Sequence, residues 1–109
     1  MDDFIFAYIT AKDKEQALSI GKKLIEERLA GCVNILDNML SIYKWEGKVC
    51  AENEAVLIAK TTSEKFSSLA ARVKELHTYD CPCIAALPVI NGNSQYLDWL
   101  SATIYGSEK

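Results

Sequence analysis

The chain has 109 residues, 50% hydrophobic and 25% charged, which is the composition of one globular domain and too short a length for two cores. Lys and Arg total 12 against 15 Asp and Glu, a formal charge of −3, which argues against cation-driven binding of nucleic acid. The start Met1-Asp2-Asp3 lacks the positive region of a signal peptide, and the apolar run after it is too short to span a bilayer. The expectation is a single cytoplasmic domain, residues 1–109, with no membrane contact and with its 4 cysteines reduced.

Phe4 to Ile9 is an unbroken apolar run rich in β-branched and aromatic residues, which predicts a central strand buried on both faces. Asp13 with Gln16 reads as a helix N-cap and its capping-box partner, followed by Ala17, Ile20, Gly21, Leu24, Ile25 and Leu29 at helical spacing. Gly31 is the expected stop. Cys32 to Leu36 and Leu40 to Trp45 read as extended stretches around a turn-like Asp37-Asn38. Glu46-Gly47 then suits a two-residue hairpin turn, with Lys48 to Thr61 as the return strand. Within that strand Glu52-Asn53-Glu54 predicts a bulge or an exposed stretch, and Ala55 to Ala59 a buried base.

Thr62 or Ser63 can cap a second helix carrying Phe66, Leu69, Ala70, Val73 and Leu76 on one face and ending near His77-Thr78. Ile84 to Ile90 reads as a last strand, and Pro88 within it argues for an edge. A third helix, capped by Asn93 or Ser94, turns Tyr96, Leu97, Leu100 and Ile104 inward. The order β-α-β-β-α-β plus a terminal helix predicts an α+β, ferredoxin-like fold: an antiparallel sheet with two helices on one face and a long β-hairpin. Such a fold does not specify a function.

Ala30-Gly31-Cys32-Val33-Asn34 and Ser41 to Lys48 are followed by Lys60-Thr61-Thr62, His77-Thr78-Tyr79-Asp80-Cys81-Pro82, Leu87-Pro88 and Gly92-Asn93 with Tyr96 to Leu100. In this order the segments resemble the CutA family of divalent-ion tolerance proteins, the first being similar to its cysteine-bearing segment and the second to its hairpin signature. The resemblance implies a homotrimer whose hairpins reach onto neighbours, a shape like that of the PII signalling proteins, and a role in tolerance of copper and other divalent metals. It implies no established enzymatic reaction. Two positions depart from the pattern: Thr78 stands where the family has Pro, and Cys83 where it has an acidic residue, so a hard oxygen has become a soft thiol.

Cys81-Pro82-Cys83 places two thiols at i and i+2, which an extended chain turns to the same side. With His77 and Cys32 they form a candidate set for Cu(I) or Zn²⁺, although the usual zinc spacing is missing. The alternative is that these cysteines are small buried apolar residues. His77 sits at a helix end, where a structural hydrogen bond or a ligand role both fit. Tyr79 and Lys60 are expected to line a cleft, as is Glu46, whose plainer reading is a turn residue. Tyr43 and Trp45 share one side of the hairpin and would be exposed in a monomer, so interface packing is their first reading and lining the cleft their second. Glu26-Glu27-Arg28 and Lys22-Lys23 read as a solvated helix face. None of the nucleophile-elbow, zincin, phosphate-loop or dinucleotide motifs occurs. Three functions are weighed, in this order: a metal-binding tolerance protein, a PII-like trimer that binds a small ligand between subunits and signals to a protein partner not yet identified, and last an enzyme using His77 and Cys32.

Overall fold

The computed structural model describes residues 3–106. The elements run β1 (Phe4–Ala11), α1 (Lys14–Glu26), β2 (Cys32–Trp45), β3 (Lys48–Thr62), a 3₁₀ turn (Ser63–Lys65), α2 (Phe66–Leu76), β4 (Ile84–Pro88) and α3 (Ser94–Tyr105). The antiparallel sheet has the order β2-β3-β1-β4, with β1 internal as its apolar run predicts and β4 at the edge, where Pro88 is tolerated. This is the expected ferredoxin-like α+β arrangement with a terminal helix added.

Alternation along the strands separates two faces. Ala7, Ile9 and Ala11 of β1 lie opposite Ala59, Leu57 and Ala55 of β3 and pack with Ala17, Ile20 and Leu24 of α1 and Leu69 and Val73 of α2. This is the core. Phe4, Phe6, Tyr8 and Thr10 point to the other face and are only half-buried, so β1 is sealed on one face and not on both. That second face is partly covered by α3: Tyr105 shares a hydrogen bond with Thr62 at 2.9 Å, and the Tyr96 ring lies 5.5 Å from the Lys60 ammonium. Leu100 and Ile104 bury the inner side of α3.

The capping residues act as expected at two helices. The Asp13 carboxylate accepts from the Gln16 N–H at 2.8 Å, the Gln16 side chain reaches back to the Lys12 N–H, and Asn93 accepts from the Gln95 N–H. The second helix is entered through the 3₁₀ turn, and neither Thr62 nor Lys65 makes a side-chain cap.

Gly31 does not terminate α1. The left-handed position belongs to Arg28 at φ 57°, and the Arg28 and Leu29 N–H groups bond to Ile25 O and Leu24 O, closing a Schellman motif. The Arg28 guanidinium also donates to Thr103 O in the last turn of α3 at 2.6 Å. What requires glycine at 31 is packing, because a Cβ there would stand 2.7 Å from Leu100 Cδ1.

Asp37-Asn38 is not a turn between separate strands. It lies in a register shift of one continuous strand: Leu36 pairs with Val56, but Met39 pairs with Glu54. The stretch of β2 from Leu36 to Met39 thus advances one residue more than its partner, and Asn38 absorbs the excess at φ 57°. The bulge falls on β2 opposite Ala55, and Glu52-Asn53-Glu54 just beyond it is polar and largely exposed. At the tip Glu46 and Gly47 both take positive φ, 49° and 79°, as a two-residue hairpin turn demands. The projecting hairpin stretches the molecule to 48 × 26 × 23 Å.

Candidate functional site

The bulge decides which side chains of the hairpin face the second side of the sheet. Below it Cys32 pairs with Lys60, and above it Tyr43 pairs with Cys50 and Trp45 with Lys48. The extra residue therefore moves the odd-numbered residues of β2 onto the face that carries Cys50, Glu52 and Glu54. Tyr43, Trp45 and Tyr79 form the aromatic walls of a cleft there, with a volume of about 580 Å³. Glu52 and Glu54 project from β3, and Asp80 and Cys81 enter from the loop after α2.

Hydrogen bonds fix the carboxylates. Tyr43 donates to Glu52 Oε1, and Tyr79 donates to Glu54 Oε2 at 2.9 Å. Holding its proton for Glu52 pushes the Tyr43 phenol up to about 12. Burial, followed by the Glu54 bond, raises the Tyr79 phenol as well.

His77 explains how Tyr79 reaches this place. Its Nε2 donates to Thr10 O at 2.7 Å and its Nδ1 accepts from the Tyr79 N–H at 3.0 Å, so one tautomer serves both contacts. The two rings lie 4.5 Å apart. Of the two readings of His77, this geometry is that of the structural hydrogen bond, with both ring nitrogens engaged. Thr78 also has a partner, the Gln16 amide, at 2.8 Å.

The four suggested ligands do not come together within the chain. Cys32 is half-buried at the start of β2, where its thiol neighbours Tyr96; burial and that thiol push the Tyr96 phenol up to about 12. Among the described residues the Tyr96 hydroxyl, buried beside that thiol, has no partner in good hydrogen-bond geometry, so the thiol acts on it by proximity. Cys81 and Cys83 are both exposed, but only Cys81 lines the cleft. Cys83 instead uses its backbone carbonyl to accept from the Thr10 N–H. Among the described residues no group of three or more His, Cys, Asp or Glu is arranged to hold a metal ion.

Of the residues expected to line a cleft, Tyr43, Trp45 and Tyr79 do so. Glu46 is the turn residue, and the Lys60 ammonium lies over the rings of Phe6 and Tyr96, 5.3 and 5.5 Å from their centroids, away from that cleft. Cys50, Glu52, Glu54 and Asp80 are lining residues that the sequence reading passed over. Counting back from the Glu46-Gly47 turn pairs Tyr43 with Cys50, so the hairpin part of this set was available from register alone.

Residues 5–103 match the family model described as CutA1 divalent ion tolerance protein. The chain is 51% identical over 92 residues to the divalent-cation tolerance protein CutA of Thermus thermophilus, covering 84% of this chain and 89% of that protein. It is 46% identical over 99 residues to the protein of the same name from Archaeoglobus fulgidus, covering 91% and 96%. The solved Thermus thermophilus structure superposes with a TM-score of 0.90 at 47% identity, over 92% of this chain and 97% of that one. The Archaeoglobus fulgidus structure, titled a periplasmic divalent cation tolerance protein, gives a TM-score of 0.90 at 44% identity over 93% and 98%. No helix among the described residues is long and apolar enough to cross a membrane. From its sequence and from its fold, the chain belongs to the CutA1 family of divalent ion tolerance proteins.

Proposed function

We propose that the chain works as a cytoplasmic homotrimeric protein that binds metal ions, copper foremost and zinc next, in cellular tolerance of those ions, with no reaction of its own to catalyse. The observation that carries the assembly is the bare hairpin: Leu40, Ile42, Trp45 and Val49 are 61%, 68%, 64% and 77% exposed in the single chain. Apolar area of that extent calls for a partner surface, and further copies of this chain supply one. For the metal, the thiols of Cys81 and Cys83 are open to solvent and soft enough to favour Cu(I) over Mg²⁺ or Ca²⁺. Cys32 and His77 complete the suggested donor set, and His77 must release Thr10 O or the Tyr79 N–H to join it.

The test is an anaerobic Cu(I) titration of the assembled protein against a competing chelator, with its mass followed by light scattering. Cys81→Ser/Cys83→Ser should lose tenfold or more in affinity while the mass stays that of a trimer, and Cys50→Ser should lose less. Equal affinities throughout would return the cysteines to packing, and a monomer mass at micromolar concentration would remove the trimer. One observation favours a second reading, a PII-like regulatory trimer that takes a small ligand and reports it to a protein partner: the cleft's volume of about 580 Å³ lies in the range of small-molecule pockets.

A further inference from the structure

The backbone nitrogen after an asparagine can attack its side-chain amide where the next residue lacks a Cβ, the chain is irregular and no ladder holds that nitrogen. Of the 5 asparagines, only Asn91 meets these conditions. Asn34, Asn38 and Asn53 stand in strands before Ile35, Met39 and Glu54, and Asn93 precedes Ser94 with its side-chain oxygen engaged by the Gln95 N–H. Asn91 precedes Gly92 in the exposed segment between β4 and α3. The Gly92 N–H makes no backbone hydrogen bond among the described residues and donates instead to Asn91 Oδ1 at 2.9 Å. That contact brings Asn91 Cγ, one bond from the oxygen, beside the Gly92 nitrogen, the approach from which a succinimide ring closes.

We infer that Asn91 is a site of self-modification, passing through a succinimide to aspartate and isoaspartate. The Gly92 amide gives its proton to solvent base, and its nitrogen forms a bond to Asn91 Cγ. The bond from Cγ to Nδ2 then breaks, and Nδ2 takes up a proton and leaves as ammonia. Water adds to one of the two ring carbonyls. Release of the nitrogen from Cγ gives aspartate on the original main chain, whereas release from the main-chain carbonyl gives isoaspartate, with the chain running on through Cγ. Water is the only co-reactant. Either product adds a negative charge just before α3, but only isoaspartate also lengthens the main chain by a methylene. Little in the segment can absorb that length. The Val89 N–H is fixed to Phe4 O at 3.0 Å, Asn93 caps α3, and a Cβ on Gly92 would already stand 3.2 Å from Leu97 Cδ1. Isoaspartate at 91 therefore loosens the seat of α3, whose Leu100 and Ile104 are buried beneath it.

The test ages the assembled protein in mildly alkaline buffer made with heavy-oxygen water, then follows the peptide holding Asn91 by mass spectrometry and by isoaspartate-specific methylation. Asn91 should exchange its amide nitrogen for one heavy oxygen about tenfold faster than the other asparagines, with isoaspartate the larger product and a rate that rises with pH. Gly92→Ala should slow the exchange about tenfold, because the added methyl crowds the attacking nitrogen. Asn91→Asp carries the charge on an unlengthened chain, so it should melt closer to the fresh protein than the isoaspartate form does. Exchange at Asn91 no faster than at the other asparagines would overturn the proposal, as would aspartate formed without isoaspartate, the mark of direct hydrolysis. Reaction in a free peptide of residues 89–95 but not in the assembled protein would overturn it too, since the assembly would then hold the loop away from ring closure. Equal melting of the isoaspartate form and Asn91→Asp would remove the effect on α3.

Discussion

Replacing Leu57 with Ala should lower stability by about 2–5 kcal/mol, the cost of a buried Leu truncation with its residual cavity. Leu57 is fully buried in the middle of β3, between Ile9 on β1 and Ile35 on β2. It also approaches α1 closely enough that a Cβ on Gly21 would stand 3.3 Å from its Cδ1. Three strands and a helix thus meet at one side chain, and none can move in without disturbing another. In a domain of this size each kcal/mol shifts the melting point by about 4–8 °C. Leu18→Ala is the comparison, since Leu18 is 43% exposed on the outer side of α1. Denaturant unfolding at equal protomer concentration should separate the two clearly. A loss for Leu57→Ala no greater than for Leu18→Ala would contradict this account of the core.

Gly31→Ala should cost about 1–3 kcal/mol by overpacking, the second large effect. The added methyl would stand 2.7 Å from Leu100 Cδ1 and 3.3 Å from both Ile104 Cγ1 and the Leu100 carbonyl oxygen. Leu100 is fully buried and Ile104 nearly so, which leaves the crowded side chains no free space to enter. Relief requires moving α3 away from the start of β2. Gly92→Ala gives the contrast, because its nearest neighbours all belong to the half-buried Leu97 side chain, the first at 3.2 Å. Thermal melts should rank Gly31→Ala well below Gly92→Ala. Equal melting points would mean that α3 is not tightly seated on Gly31.

The elements were legible in the sequence wherever a signal is local. Asp13 with Gln16, Asn93, and Glu46-Gly47 each encode their conformation within a few residues, and each is found in it. Gly31 and Arg28 show the limit. A glycine after a helix is the common stop, but here the chain had a stronger use for the missing Cβ in a contact some seventy residues distant, and an arginine took the left-handed position. Asp37-Asn38 was legible as a departure from a regular strand, whereas its nature depended on what lay across the ladder.

For the candidate site the division is similar. The aromatic side of the hairpin follows from alternation, and the loop residues Tyr79, Asp80 and Cys81 join it because His77, Thr78 and Cys83 tie that loop to β1 and α1. Cys81 and Cys83 look like a matched pair in the sequence, yet the loop turns only Cys81 to the cleft that Cys50 of β3 also lines. The spacing of two residues presumed an extended strand, and the strand begins only at Ile84.

Arg28 acts on two helices through two different parts of itself. Its backbone bends left-handed to finish α1, and its side chain places a cation on a carbonyl at the end of α3. A glycine in its place would adopt the same bend more easily, relieving a left-handed cost of about 1–2 kcal/mol and giving part of it back in chain entropy. It would also strip the positive charge from the end of α3, a loss of about 0.3–1 kcal/mol. The two changes oppose each other and are of similar size. A melting experiment on that variant would register little, even though a side chain that fastens α3 to the end of α1 had gone; a small net effect there is a cancellation, and it hides a tether.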